Sequence, residues 1–149
     1  MPYYIDIVHK SEYANIVALW EASVRVSHTF LTEEDIQFFK PLILNSYLDQ
    51  VKLFCARNED NKIVGFLGVA KGKIEMMFVH PHYMNRGIGR RLIRYSIDKL
   101  DATKVDVNEQ NPKAQSFYEY FGFKAVGRSR LDGTGKPYPI IHMELSQQT

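Results

Sequence analysis

Residues 51–79 carry three β-favouring runs in quick succession, Val51 to Arg57, Ile63 to Ala70 and Ile74 to Val79. Only the polar turn Asn58-Glu59-Asp60-Asn61-Lys62 and the short stretch holding the pair Gly72-Lys73 separate them. Connections this short do not carry crossovers, so the three runs pair as antiparallel neighbours. After Pro81 the period changes. Ile88, Leu92, Ile93, Ile97 and Leu100 keep helical spacing, so the third strand leads into a helix whose start is rich in glycine.

The flanking segments extend this core. Tyr3 to Val8 reads as a first strand, with Ser11 as the N-cap of a helix in which Tyr13, Ile16, Val17, Trp20 and Val24 form an apolar stripe. Thr32 before Glu33, Glu34 and Asp35 caps a second helix with acids in its first turn, and Pro41 kinks or splits it. Lys104 to Val107 is a strand, Asn111-Pro112 opens a helix that ends at Gly122, and Lys124 to Leu131 and Tyr138 to Leu145 are strands. The loop Asp132-Gly133-Thr134-Gly135-Lys136-Pro137 joins the last two. The order is β-α-α-β-β-β-α-β-α-β-β, without repeat or linker.

At 149 residues the chain suits one domain over 1–149 and buries roughly 68–70% of its unfolded surface without help from a metal or disulfide. Its single cysteine, Cys55, alternates with Val51 and Leu53 as core packing and agrees with a reducing compartment. The 19 basic and 17 acidic residues leave a charge of +2, not the one-sided excess of a dedicated nucleic-acid binder. Met-Pro-Tyr-Tyr-Ile-Asp-Ile does not read as a signal peptide, and no apolar run is long enough to span a membrane. A cytoplasmic location is the expectation.

Between Phe78 and Leu92 a strand, a short loop and a helix start follow one another. Gly87 and Gly89 leave backbone N–H groups uncovered at the positive end of the helix, and Arg86, Arg90 and Arg91 surround that mouth, an arrangement suited to a pyrophosphate. The plain alternative is a tight turn that lets helix and sheet pack closely. A Walker loop and a dinucleotide fingerprint both fail on spacing. His80 and His82 have no third or fourth partner at metal-ligand spacing, so no metal is expected.

Met84-Asn85-Arg86-Gly87-Ile88-Gly89 resembles the Gln/Arg-x-x-Gly-x-Gly/Ala motif of the GNAT superfamily of N-acetyltransferases, departing from it at Met84. Asn111-Pro112-Lys113-Ala114-Gln115-Ser116-Phe117-Tyr118-Glu119-Tyr120-Phe121-Gly122-Phe123 resembles the family's second block, Asn-x-x-Ala-x-x-Phe-Tyr-x-x-x-Gly-Phe. The segments Asn108-Glu109-Gln110-Asn111 and Gly135-Lys136-Pro137-Tyr138-Pro139 look like those of small bacterial single-domain members. The resemblance implies an α/β (α+β) fold with a mixed, mostly antiparallel six- to seven-stranded sheet and about four helices on its faces. It also implies acetyl-coenzyme A as donor, in a V-shaped opening between the fourth and fifth strands. Phe78 and Val79 would then contact the pantetheine and acetyl groups. Arg86, Gly87, Ile88, Gly89, Arg90 and Arg91 would surround the pyrophosphate, and Asn108 and Asn111 would touch the arm from the other side.

Acetyl transfer to an amine requires a neutral amine, stabilisation of a developing oxyanion and a proton for the departing thiolate. The resemblance puts Tyr118 at the general-acid position, and a phenol keeps its proton at neutral pH. A backbone N–H near Val79, freed by a bulge, would polarise the carbonyl. Glu75 is the candidate base, although the family register places its acid at Lys73, on the same face of the strand; His28, His142 and a water chain are competitors. His28 and Phe30 lie where the family builds its acceptor pocket. The reading is direct transfer from acetyl-coenzyme A to a small-molecule or peptide amine, without metal, nucleic acid or membrane. Dimers are common in the family, but no heptad seam marks one here. A non-catalytic acyl-coenzyme A sensor is the alternative.

Overall fold

The structure, a computed structural model, describes residues 2–146; Met1 and residues 147–149, the ends of the expected domain, lie outside the described residues. In chain order the elements are β1 (Tyr4–Ile7), α1 (Tyr13–Ser27), α2 (Glu33–Leu42), β2 (Lys52–Arg57), β3 (Ile63–Ala70), β4 (Lys73–Val79), α3 (Ile88–Leu100), β5 (Lys104–Asn108), α4 (Pro112–Tyr120), β6 (Phe123–Ser129) and β7 (Ile140–Leu145). The seven strands form one sheet in the order β1-β2-β3-β4-β5-β7-β6, antiparallel except between β4 and β5. That parallel pair is joined by α3, the crossover such a pair needs.

β3 is apolar along its length because both of its faces are covered. On one face Leu67 and Val69 join a core with Ile88, Leu92 and Ile93 of α3 and Tyr118 of α4. On the other, Phe66 packs with Cys55 and with the α1 stripe, Ile16, Val17, Trp20 and Val24. Cys55 is fully buried, and burial pushes its thiol up to about 11, so it packs as the sequence indicates. Gly65 sets the approach of α3: a Cβ there would lie 3.0 Å from Ile88 Cγ2 and 3.2 Å from Leu92 Cδ1.

Local signals end two elements where expected. Thr32 Oγ1 accepts the Asp35 N–H at 3.0 Å while Asp35 Oδ2 accepts the Thr32 N–H at 3.1 Å, a reciprocal cap on α2. Asn111 Oδ1 accepts the Ala114 N–H at the start of α4. After Pro41, which lacks an N–H to continue the ladder, α2 passes into a wider turn over Ile43–Tyr47.

Three expectations need correction. A 3₁₀ turn over Lys10–Glu12 precedes α1, and Glu12 Oε1 accepts the His9 N–H at 3.0 Å, so Ser11 is not the cap. The β3–β4 hairpin turns on Lys71 and Gly72, with Ala70 opposite Lys73. The last two strands are shorter than their apolar runs, because Asp132 Oδ1 accepts the Thr134 and Lys136 N–H groups at 2.9 Å and folds the connection on itself.

Leu92 is fully buried where α3 meets the sheet. Leu92→Ala should cost about 2–5 kcal/mol, measured as a lower urea midpoint with an unchanged m-value.

Candidate active site

β4 and β5 are paired only at Lys73–Lys104 and Ile74–Val105. Beyond that point β4 stays with β3 and β5 with β7, so the two strands part and the β4 edge facing β5 is left free. Glu75 sits at an irregularity in the other ladder: Ile74 faces Val69 and Met76 faces Gly68, with no β3 residue opposite Glu75. The extra residue resets the alternation. Ile74, Met77 and Val79 join the core under α3 and α4, while Met76 and Phe78 join the one under α1 and α2. The expected bulge near Val79 is therefore corrected to Glu75; Val79 pairs regularly with Gly65. Free backbone near Val79 comes from the parting of the strands instead.

The glycine turn forms the N-terminus of α3. Gly87 is its N-cap with φ +82°, a left-handed conformation that disfavours any side chain. A Cβ there would meet nothing within 4 Å, so the space beside the helix mouth is open. Arg91 N–H donates to Gly87 O at 3.1 Å as the ladder begins, which leaves the N–H groups of Ile88, Gly89 and Arg90 without a partner among the described residues. Ile88 itself is anchored in the core, and Gly89 lies against the Phe117 ring. Arg86 stacks over Tyr83 at 5.2 Å and Arg90 over Tyr120 at 5.9 Å, both exposed, with Arg91 half-buried between. Free N–H groups, open space and mobile cations fit a pyrophosphate.

Tyr118 is buried in α4 among Phe117 and Phe123. Among the described residues its hydroxyl makes no hydrogen bond, and burial raises its pKa well above the usual phenol range. Its proton is therefore held throughout the neutral range.

On the opposite face of the opening lies a cavity of about 350 Å³. Trp20 and Val24 of α1, Phe39 of α2, Ile43, Tyr47 and Ile140 form its walls, with Met76 and Phe78 of β4 as floor. His28 and Leu31 close one rim, and Asp132, Gly133, Thr134 and Tyr138 close the other. Asn108 opens into this cavity, whereas Asn111 spends its side-chain oxygen on the α4 cap. His28 rests against Phe30 at 5.4 Å and Phe78 at 6.1 Å, its Nδ1 bonded to Ser27 Oγ at 2.6 Å. Phe30 in turn packs on Tyr138 at 5.4 Å.

Glu75 stands at the cavity's edge beside a polar row that the sequence did not disclose. Lys73 Nζ is 3.9 Å from Glu75 and 2.6 Å from Asp106 Oδ2; Asp106 Oδ1 meets His142 Nδ1 at 2.7 Å, and His142 Nε2 meets Ser129 Oγ at 2.7 Å. Burial raises the Asp106 carboxyl, but Lys73 and His142 outweigh it and hold it below the usual range. Lys73 is thus neutralised chiefly by Asp106, and Glu75 remains free toward the cavity. Alternation along β5 could have placed Asp106 on this face beside Asn108, but not its partners on β4 and β7.

Among the described residues no three His, Cys, Asp or Glu side chains stand together as a metal site, and no helix is long and apolar enough to cross a membrane. Burial holds the His28 imidazole down, to about 4, so the folded protein keeps it neutral. The unfolded chain protonates near pH 6.5 and takes up the proton first as pH falls. Stability from this group is complete above about pH 6.5 and declines from there to about pH 4. Asp35 and Glu12, held near about 2, stay ionised in that window. Chemical denaturation between about pH 6.5 and pH 5 should show the loss, and His28→Asn should remove most of the slope there, with a share left to His80, which burial also shifts down; closer to pH 4 the paired carboxylates Glu12, Glu33 and Asp35, which protonate first in the unfolded chain, add their own loss.

Comparison with known proteins agrees with this geometry. The family model for an acetyltransferase (GNAT) domain matches residues 21–146. Peptidyl-lysine N-acetyltransferase YjaB of Escherichia coli K12 is 35% identical over 128 residues, which is 86% of this chain and 86% of that protein. The solution structure of apo YjaB from Escherichia coli superposes with a TM-score of 0.89 at 32% identity, covering 99% of this chain and 100% of that one. The PaiA N-acetyltransferase of Thermoplasma acidophilum, crystallised in complex with coenzyme A, shares the fold, with a TM-score of 0.72 at 19% identity over 98% of this chain and 100% of that one. The parted strands, the glycine turn and these matches together show that the chain belongs to the GNAT acetyltransferase family and is an acetyl-coenzyme A-dependent N-acetyltransferase.

Proposed function

We propose that the free β4 edge at Phe78 and Val79 receives the pantetheine arm and acetyl group, and that the N–H groups of Ile88, Gly89 and Arg90 hold the pyrophosphate above Gly87. Arg86, Arg90 and Arg91 add mobile positive charge, and Asn108 and the amide nitrogen of Asn111 contact the arm from the β5 side. Bound there, acetyl-coenzyme A supplies an acetyl thioester. Every other requirement falls to the chain.

The acceptor is a primary amine, carried by a small molecule or by a peptide, as the name of YjaB has it for that protein. Such an amine is an ammonium at neutral pH and must lose a proton before it attacks. Glu75, at the edge of the cavity and in contact with solvent, takes that proton directly or through water, while Asp106 keeps the Lys73 charge from opposing the ammonium. His28 and Phe30 shape the acceptor side. Tyr118 gives its proton to the departing sulfur, and its unpartnered hydroxyl, on a helix packed against β5, is the observation that carries this assignment. The whole of 1–149 acts as one domain in the cytoplasm, a reading that the free, buried Cys55 supports.

Tyr118→Phe should lower kcat by about 10²–10³ with acetyl-coenzyme A affinity unchanged by calorimetry; undiminished turnover would remove Tyr118 from the acid role. Glu75→Gln should lower kcat by about 10²-fold near neutrality, with the deficit shrinking as rising pH frees the amine. A pH profile identical to that of the parent protein would place the base at His28, His142 or water. Gly87→Ala should weaken acetyl-coenzyme A binding about tenfold, because alanine resists the left-handed conformation that aims the helix N–H groups.

A further inference from the structure

The cavity beside β4 carries more information than its position. Its walls are aromatic and aliphatic, with Trp20 and Phe39 opposite Met76 and Phe78, and among the described residues the acidic side chains on its lining are the carboxylates Glu75 and Asp132. Lysine and arginine are absent from that lining, and His28 is neutral there. At about 350 Å³ it lies at the small end of the range for small-molecule pockets, roughly 300–1,000 Å³.

The rim is strapped shut on one side. Asp35, 6% exposed at the first turn of α2, accepts the Tyr138 hydroxyl and lies 3.1 Å from Lys136 Nζ, so one carboxylate ties α2 to the β6–β7 connection. The strap is stiffened from both ends. Thr32 and Asp35 cap one another, Asp132 holds its own loop through two backbone N–H groups, and Lys136 sits 4.5 Å over the Phe38 ring. Phe30 packs on Tyr138 beneath it. An extended polypeptide laid between the α1–α2 segment and the β6–β7 connection would have to displace these contacts, whereas a compact molecule would not.

We propose that the preferred acceptor is a small primary amine on a compact aryl or branched-alkyl body, and that the Asp35–Tyr138–Lys136 strap is the specificity device that disfavours peptide substrates. The inference rests on the reading of this cavity as the acceptor site. The apolar body occupies the space between Trp20, Phe39 and Phe78, and the ammonium faces Glu75. Polyamines fit less well, since the carboxylate left on the lining for a second ammonium is Asp132, whose Oδ1 already accepts the Thr134 and Lys136 N–H groups and the Thr134 hydroxyl.

Steady-state thiol release with 2-phenylethylamine, tryptamine and isoamylamine, against spermidine and a lysine-containing nonapeptide, tests this directly. The apolar amines should exceed the peptide and spermidine in kcat/KM by about tenfold or more. Leu31→Trp, which fills the rim, should raise KM for the apolar amines while leaving acetyl-coenzyme A affinity unchanged. The double substitution Tyr138→Phe, Lys136→Met cuts the strap and should shift the peptide-to-amine ratio of kcat/KM toward the peptide by about tenfold. Equal or better turnover of the peptide or of spermidine by the parent protein overturns the proposal and leaves amine acetylation standing. Absence of turnover with every amine, despite acetyl-coenzyme A binding, overturns the acceptor-site reading as well. A ratio unmoved by cutting the strap overturns the role given to Asp35.

Discussion

The parting of β4 from β5 after two residue pairs is the constraint on which the rest depends. A parallel pair that continued would satisfy its own backbone and leave no edge to offer. Here β4 is held to β3 through Val79 and β5 to β7 through Asn108, so each strand is rigid on its far side while the facing edges stay open. The opening costs little, because both strands keep a full ladder elsewhere and the freed groups face solvent. Close contact of α3 with β3, allowed by Gly65, brings the helix mouth to the same end of the sheet.

The bulge at Glu75 divides the labour between the two faces. By adding one residue to β4 it sends Met77 and Val79 under α3 and α4, and Met76 and Phe78 under α1 and α2. The face under α3 and α4 thereby lies beside free backbone and cationic side chains, and the cavity under α1 and α2 gains an apolar floor with Glu75 at its edge. Charge is segregated accordingly: arginines gather at the α3 mouth, whereas the charged side chains lining the cavity, among the described residues, are the carboxylates Glu75 and Asp132. The two faces of a single strand thus suit ligands of opposite charge, as the proposed donor and acceptor sites require.

Asp35 shows how one residue serves two levels of structure. With Thr32 it closes the first turn of α2, a local contact three residues apart, and the same carboxylate fixes Tyr138, 103 residues away. Tyr138, Lys136 and the Thr32 backbone together hold its carboxyl down to about 2, so the strap stays ionised throughout the neutral range. The rim of the cavity is thereby tied to α2.

The sequence by itself determined the order of elements, the caps at Thr32 and Asn111, the glycine turn and the family, since each is written in residues within one or two helical turns of one another. It also put Tyr118 on the helix that Asn111 caps. Only the tertiary structure decided that the bulge falls at Glu75 and not near Val79, because register depends on which β3 residue a β4 residue meets. The row Lys73–Asp106–His142–Ser129 was equally hidden, as its members come from four strands brought together by the sheet order β4-β5-β7-β6. Local periodicity reports which side of an element is buried; it carries no record of which distant side chain waits on that side.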